Sequence, residues 1–157
     1  MAAGQLSTRL ASVDDAEDVA QLLHDFNTEF DAASPGVEVL AERLGILLDG
    51  PDTFAILAGA PSVAVALVTL RRNVWFAGPV ALLDELYVVP ELRGQGIGTS
   101  IVEFLVETAR RREVELIEIN VDIGDVDARR FYERHGFSAV QPETAEHALY
   151  YFRELGG

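Results

Sequence analysis

The sequence contains no cysteine and no lysine, and these two absences exclude several kinds of chemistry. Without cysteine, the chain can form no disulfide bond, no thiolate metal site and no covalent cysteine intermediate. Without lysine, a Walker-type phosphate loop and a Schiff-base mechanism are excluded, and all 12 basic residues are arginine. The three histidines, His24, His135 and His147, are scattered without ligand-like spacing, so we expect no metal site.

Positive charge is scarce, since the formal net charge is −14 and no basic stripe is present. This charge argues against a nucleic-acid partner, because nothing in the chain would neutralise phosphates. It would favour a cationic partner by electrostatic steering. An acidic surface that only keeps the protein soluble explains the same charge equally well.

Long hydrophobic runs are absent as well. The longest apolar region, residues 54–70, is interrupted by a turn at 59–62, and each half is too short to span a bilayer. The first segment, "MAAGQLSTRLAS", lacks the basic cluster and continuous apolar stretch of a secretory signal. We therefore expect a cytoplasmic protein without a membrane partner.

The apolar periodicity predicts a single domain over residues 1–157 with the order β-α-α-β-β-β-α-β-α-β, an α/β fold. The predicted strands are "STRLAS", residues 53–58, 63–71 and 80–89, "VELIEINV" and a late strand, "HALYYFREL". The predicted helices begin near Asp14, cover "SPGVEVLAERLGILLDG", extend over residues 98–112 and cover "DVDARRFYERHGF".

Glycines occupy alternate positions in "PELRGQGIG", residues 90–98, between a predicted strand and a predicted helix. The dinucleotide fingerprint G-x-G-x-x-G fails here, because Thr99 stands in the place of its third glycine. Glycine lets the backbone approach a ligand, and N–H groups at a helix N-terminus face an anion. Three glycines beside Arg93 predict a loop at 93–99 that binds a pyrophosphate through backbone amides. A flexible turn would explain one or two glycines but not three.

Two segments, in this order, resemble motifs of the GCN5-related N-acetyltransferase (GNAT) family. "LDELYVVPELRGQGIG" is similar to the family's central motif Q/R-x-x-G-x-G/A with its upstream strand. "DARRFYERHGF" is similar to the family's later A-x-x-F-Y-x-x-x-G-F segment. The resemblance implies a mixed, mostly antiparallel sheet flanked by helices, with acetyl-coenzyme A (acetyl-CoA) as the acyl donor. It also implies direct transfer of the acetyl group to an amine within a ternary complex.

The resemblance further implies which residues contact the donor. The strand that ends near Val88 would splay from its neighbour, and an amide of Val88 or Val89 would polarise the acetyl oxygen. Asn120 would bond the pantetheine arm, or would only satisfy a local backbone group. The implied contacts with acetyl-CoA are Leu86, Tyr87, Val88, Val89, Arg93, Gly94, Gln95, Gly96, Ile97, Gly98, Thr99, Asn120 and Tyr132.

Three residues are candidates for proton transfer. Tyr132 stands where the family's tyrosine donates a proton to the coenzyme A sulfur, and its alternative role is that of a core aromatic. Asp84 and Glu85 are candidate general bases, and adjacent strand residues point to opposite faces. Family spacing slightly favours Asp84, although both are also explained as solvent-facing or ion-paired residues. Asp125 replaces the family's asparagine, and we expect it to cap the following helix.

The acceptor stays open at the level of sequence: a small amine or the amino group of a peptide or protein. The alternative function is a non-catalytic module that binds acyl-CoA as a sensor or regulatory switch. Family members often pair through their late strands, so the resemblance implies a homodimer through "HALYYFREL".

Overall fold

The structure is a computed structural model that describes residues 6–156, which form five strands and four helices. The strands are β1 (Thr8–Leu10), β2 (Thr53–Ala58), β3 (Ala64–Arg71), β4 (Val80–Val88) and β5 (Ile117–Ile119). The helices are α1 (Ala16–Glu29), α2 (Val37–Asp49), α3 (Ile97–Arg111) and α4 (Val126–Arg134), with short 3₁₀ turns at Val13–Asp15 and Pro90–Leu92. The four predicted helices and the first five predicted strands are therefore confirmed.

The strands form one sheet in the order β1-β2-β3-β4-β5. The first three pairings are antiparallel, and β5 pairs with β4 in parallel, as a strand does when a crossover helix precedes it. Helix α3 is that crossover helix. The predicted α/β fold with a mixed, mostly antiparallel sheet is confirmed.

The late strand predicted over "HALYYFREL" is wrong. His147 forms only an isolated antiparallel bridge with Val140, and the described residues after it have no regular secondary structure. The side chains of 149–152 are all apolar and all exposed. Because they do not alternate with polar residues, no face of this segment is distinguished for burial against a sheet. The homodimer implied through this segment stays a prediction.

Both faces of the sheet are covered, because every residue of β2 is buried. Ala55 and Leu57 belong to a core cluster with the apolar residues of α1 and α2. Phe54, which alternation directs to the other face, lies under the guanidinium of Arg112 at the end of α3, 4.6 Å from its ring centroid. Helices α1 and α2 therefore pack on one face of the sheet, and α3 packs on the other.

The chain divides into two compact units after Ile119. The first unit contains the whole sheet and helices α1 to α3. The second unit begins at Asn120 and contains α4 and the bridge between Val140 and His147. Every predicted site residue except Asn120 and Tyr132 therefore belongs to the first unit.

A close backbone contact joins the segment before β4 to the end of α3. A methyl group added at Gly78 would lie 2.0 Å from the carbonyl oxygen of Glu113, so that backbone would have to move. We expect Gly78→Ala to lower the free energy of unfolding by about 1–3 kcal/mol, as overpacked sites do. Chemical denaturation at equilibrium measures this change.

Gly45 provides the matched control, because a methyl group there would meet no atom within 4 Å. Gly45 lies inside α2, where alanine has the higher helix propensity, so Gly45→Ala should stabilise the protein by roughly 0.5–1 kcal/mol. Wild-type stability of Gly78→Ala would contradict the close contact.

Candidate active site

The glycine loop before α3 (residues 93–96) depends on backbone conformations that suit glycine. Gly94 has φ 76° and Gly96 has φ 86°, both in the left-handed region, and Gly96 is the N-cap of α3. A methyl group at either position would meet no protein atom within 4 Å. Packing within the chain therefore does not explain these glycines, and the surface of the loop is open to a ligand.

Helix α3 presents its amino-terminal N–H groups to this loop. The first backbone hydrogen bond of the helix forms from Ser100 N–H to the carbonyl of Gly96 at 3.0 Å. The N–H groups of Ile97 and Gly98 precede it, at the positive end of the helix dipole. The side chain of Ile97 is buried in the core, so only the backbone of this residue is available to a ligand. This end of α3 is suited to bind an anion such as a pyrophosphate.

The side chain of Arg93 has partners within the protein. Its Nε donates to the carbonyl oxygen of Val88 at 2.9 Å, and its two terminal nitrogens donate to the carboxylate of Glu29 at 2.7 Å each. Its guanidinium also lies over the ring of Tyr87, 5.5 Å from the centroid. The backbone N–H of Arg93 donates to Pro90 at 3.3 Å. The predicted contact of Arg93 with the donor stays a prediction, and the structure adds a connection to α1 that the sequence did not indicate.

Strand β4 has a bulge at Asp84. Leu67 of β3 is opposite Glu85, whereas its neighbour Val68 is opposite Leu83, so Asp84 is the extra residue. The expectation that Asp84 and Glu85 point to opposite faces assumed a regular strand, and the bulge interrupts that alternation. Asp84 is exposed and accepts a hydrogen bond from the hydroxyl of Thr69, and Glu85 is half-buried.

The Glu85 carboxyl has a raised pKa, and burial is the main cause. Desolvation raises the pKa of the Glu85 carboxyl above its ordinary value, and the negative charge of Asp84 raises this pKa further. A carboxylate with a raised pKa is a stronger base than an ordinary glutamate. The pair at the bulge therefore combines an exposed, hydrogen-bonded carboxylate with a more basic one.

The carboxyl half of β4 is paired on one edge. Its pairing with β5 ends at Leu83, five residues before β4 itself ends, and no other strand pairs with that edge among residues 6–156. On the other edge, Val89 N–H donates to the carbonyl of Val63 at 3.0 Å, which directs Val89 towards β3. Because backbone groups alternate along an antiparallel strand, the N–H of Val88 points to the open edge.

An aromatic group lies beside this end of β4. The buried ring of Tyr87 stacks on Phe26 of α1 with 5.1 Å between centroids, and Phe26 contacts the edge of Phe30. Burial raises the pKa of the Tyr87 hydroxyl, and the charges of Glu29 and Asp25 raise it further. The side chain of Tyr87 therefore belongs to the packing between α1 and the sheet, and its backbone groups point to β3, because they alternate with those of Val88. The predicted contact of Tyr87 with the donor stays a prediction.

The second unit contains the two remaining predicted residues. Asp125 caps α4 by accepting a hydrogen bond from Ala128 N–H at 3.1 Å, which confirms its predicted capping role. The half-buried ring of Tyr132 contacts the ring of Phe137 edge to face, with 5.6 Å between centroids. Asn120 is exposed just beyond β5. The contacts of Tyr132 and Asn120 with the donor stay predictions.

The chain belongs to the acetyltransferase (GNAT) family, whose model matches residues 16–137. A solved structure from Arthrobacter sp. FB24, to which an acetyltransferase function is attributed, is 50% identical with a TM-score of 0.90, over 95% of this chain and 96% of that one. The resemblance seen in the two motifs is confirmed. The alternate glycines and the A-x-x-F-Y segment were thus sufficient signals for the family.

More distant relatives share the fold or part of the sequence. An aminoalkylphosphonate N-acetyltransferase from Salmonella typhimurium is 34% identical over 93 residues, 58% of this chain and 60% of that protein. An aminoglycoside acetyltransferase from an uncultured soil metagenomic sample, solved with sisomicin, has a TM-score of 0.79 at 18% identity, over 96% of this chain and 97% of that one. The chain spans between 26% and 60% of the length of the curated relatives it matches.

Two further properties concern membranes and metals. None of the described helices is long and apolar enough to cross a membrane. Within residues 6–156, no group of three or more His, Cys, Asp or Glu side chains is placed to hold a metal ion.

The raised pKa of Glu85 predicts a pH-dependent change in stability. A folded-state pKa above the unfolded value contributes stability below the unfolded pKa, and this contribution is lost as pH rises through the folded pKa. Glu85→Gln should therefore raise the thermal unfolding midpoint at neutral pH, with a gain that shrinks as pH falls to the ordinary value of 4.5. Glu103→Gln, at an exposed position of α3, should show no such gain. A gain independent of pH would contradict the raised pKa.

Proposed function

We propose that the chain is an acetyl-CoA-dependent N-acetyltransferase that transfers the acetyl group directly to an amine in a ternary complex. One observation carries this proposal. The glycine loop and the amino end of α3 follow the carboxyl half of β4 after the short turn at Pro90–Leu92, and the second edge of this half is open. An anion-binding end and an open row of backbone groups, joined by one short connection, suit a donor with a pyrophosphate and an extended arm.

The glycine loop would hold the pyrophosphate of acetyl-CoA. The backbone of Gly94, Gln95 and Gly96 is exposed, and no side chain at the two glycines obstructs it. The N–H groups of the first turn of α3 would donate to the phosphate oxygens, with the helix dipole adding to the attraction. No lysine is needed for such a site, which agrees with a chain that has none.

The open edge of β4 would hold the pantetheine arm and the acetyl group. Acetyl-CoA supplies a thioester carbonyl, and the oxygen of this carbonyl gains negative charge when an amine attacks its carbon. We assign the polarising hydrogen bond to the N–H of Val88. The N–H of Val89 is the weaker candidate, because it already donates to Val63 within the sheet.

Proton transfer needs a base for the amine and an acid for the leaving sulfur. We assign the base to Glu85, because its pKa is raised by burial and by Asp84, whereas Asp84 accepts from Thr69. This reverses the slight preference for Asp84 drawn from family spacing. Tyr132, by its place in the A-x-x-F-Y segment, would donate a proton to the thiolate. The chain has no cysteine for a covalent intermediate, which is consistent with direct attack.

The charge of the chain favours a cationic amine as the acceptor. With a net charge of −14, the protein would attract amine cations and repel anions over the range of a Debye length. The Salmonella relative is named for aminoalkylphosphonates, which carry a negative group beside the amine. The metagenomic structure is named for aminoglycosides, which carry several amino groups. We propose that this chain prefers acceptors that carry several amino groups over acceptors with a negative group beside the amine.

Acetyl transfer is tested by mixing the protein with acetyl-CoA and a panel of amines that differ in net charge, and by following thiol release. We expect release with polyamines or amino sugars and much less with aminoalkylphosphonates. Binding of acetyl-CoA without thiol release for any amine would favour the alternative, a non-catalytic sensor module.

The site of the donor is tested with Gly96→Val and calorimetric titration of acetyl-CoA. The branched side chain would stand between the loop backbone and the phosphates, so we expect the Kd to rise at least about tenfold, or roughly 1.4 kcal/mol. Gly36→Val is the matched control, because Gly36 is also a helix N-cap with positive φ and open surroundings. Equal Kd values of acetyl-CoA for Gly96→Val and Gly36→Val would exclude the loop as the phosphate site.

The identity of the base is tested by pH profiles of kcat/KM. Glu85→Gln should lower kcat roughly a hundredfold to ten-thousandfold, the usual range for a lost general base. Asp84→Asn should keep most of the activity and move the acidic limb to lower pH, because the Asp84 charge raises the pKa of Glu85. If Asp84→Asn instead removed the limb and the activity, Asp84 would be the base.

A further inference from the structure

Three separate elements of the fold meet at the guanidinium of Arg93. Glu29 is the last residue of α1, Val88 is the last residue of β4, and Arg93 itself precedes the glycine loop. The Arg93–Glu29 pair joins positions 64 residues apart with two hydrogen bonds of 2.7 Å. A guanidinium held at both ends of its fork by one carboxylate has a fixed orientation.

This pair differs from the other ion pairs of the described chain. Glu107 and Arg111 are neighbours on the surface of α3. Arg9 and Asp15 also form a bidentate pair, with the Asp15 side chain 15% exposed, but they are only six residues apart. Arg71 and Glu118 are linked by one contact, and both are largely exposed. The Glu29 side chain is only 26% exposed, and its Arg93 partner lies over the ring of Tyr87. Partial burial and bidentate geometry hold an ion pair in one arrangement, and the Arg93–Glu29 pair combines both with a long separation along the chain.

A line of hydrogen bonds continues from this pair across the end of β4. Arg93 Nε donates to the carbonyl oxygen of Val88, which belongs to the same peptide group as the N–H of Val89. That N–H donates to the carbonyl of Val63, in the segment that leads into β3. A charged donor on the carbonyl polarises the peptide, so its N–H becomes a better donor. The end of β4 is therefore fixed between α1 on one side and the β3 segment on the other.

We propose that Glu29 is a positioning residue for acetyl transfer, acting through Arg93 to hold the carbonyl of Val88 and thereby the direction of the neighbouring Val88 N–H. This inference rests on the proposed function, since Val88 N–H is the group that we expect to polarise the acetyl oxygen. The same contacts hold the start of the glycine loop against β4, because Arg93 belongs to that loop.

Charge balance at Glu29 supports a positioning role over a substrate-binding role. The hydrogen bonds from Arg93 lower the pKa of the Glu29 carboxyl, so this carboxylate stays ionised and paired. Both of its oxygens accept from the guanidinium. An acceptor amine would have to displace Arg93 to use this carboxylate. The acidic end of α1 therefore contributes to the framework of the site and leaves proton transfer to the bulge of β4.

The first experiment measures hydrogen exchange of the Val89 amide, which needs neither donor nor acceptor. In Glu29→Gln the guanidinium loses its charged anchor, so we expect faster exchange of Val89 N–H, by about fivefold to tenfold for one weakened hydrogen bond. Leu57, in the core of β2, should keep its wild-type exchange. Glu107→Gln is the matched control, because it removes the same charge from another arginine–glutamate pair. Unchanged exchange at Val89 in Glu29→Gln would overturn the proposal.

The second experiment is a double-mutant cycle on turnover. Glu29→Gln and Arg93→Gln should each lower kcat about tenfold to a hundredfold, as misplaced active-site groups do. The double variant should be no worse than the poorer single variant, because both changes break the same connection. Glu107→Gln should keep wild-type kcat. Losses that multiply in the double variant would mean that Arg93 and Glu29 act separately, for example with Arg93 on the phosphates, and would overturn the proposal.

These two experiments separate a failure of the inference from a failure of the proposed function. A wild-type protein without acetyl transfer would remove the proposed function, while the exchange of Val89 would still report whether Glu29 fixes the end of β4. Active wild-type protein with unchanged exchange and unchanged kcat in Glu29→Gln would remove the inference alone. Glu29→Asp gives a further check, since the shorter carboxylate should restore part of both losses.

Discussion

The unequal pairing of the two edges of β4 is the constraint on which the candidate site depends. One edge pairs with β3 along the whole strand, whereas the other pairs with β5 only as far as Leu83. Backbone N–H and C=O groups need partners, so an open edge next to buried aromatic residues is costly unless water or a ligand satisfies it. The bulge at Asp84 begins where the pairing of β4 with β5 ends, so the carboxylates of Asp84 and Glu85 lie at that point. The proposed donor contacts and the proposed proton transfer therefore both depend on the place where β5 ends.

An open strand edge would be mobile without another restraint, and side chains supply that restraint here. Tyr87 is packed under Phe26 of α1, and Arg93 binds the carbonyl of Val88 while Glu29 holds Arg93. The Val88 carbonyl that Arg93 binds points to the open edge, because the N–H of the same peptide group points to β3, and the Val88 N–H stays available on that edge. The arrangement gives a preorganised row of backbone groups, which is the condition for polarising a carbonyl without reorganisation during the reaction.

Local patterns predicted the elements but not the contacts between distant residues. Helical spacing of Val19, Leu22 and Leu23 identified α1, and these side chains are buried as expected. The glycines predicted the turn into α3 because left-handed backbone favours glycine. The bulge at Asp84 and the pairing of Glu29 with Arg93 have no local signal, since each depends on register or on residues 64 apart. The apolar run after His147 predicted a strand, but a strand also needs a neighbour, and propensity cannot specify one.

The two glutamates near the end of β4 illustrate how one type of side chain is adapted to two tasks. Two hydrogen bonds from Arg93 lower the pKa of Glu29, so that its charge persists to lower pH than that of an ordinary glutamate and suits a fixed contact. Burial and the charge of Asp84 raise the pKa of Glu85, so that its carboxylate is a stronger base than that of an ordinary glutamate. These opposite pKa shifts agree with the two proposed roles, in which Glu29 holds the backbone and Glu85 moves a proton. An acidic chain has many carboxylates, and the partners of each one, not their number, decide which are available for chemistry.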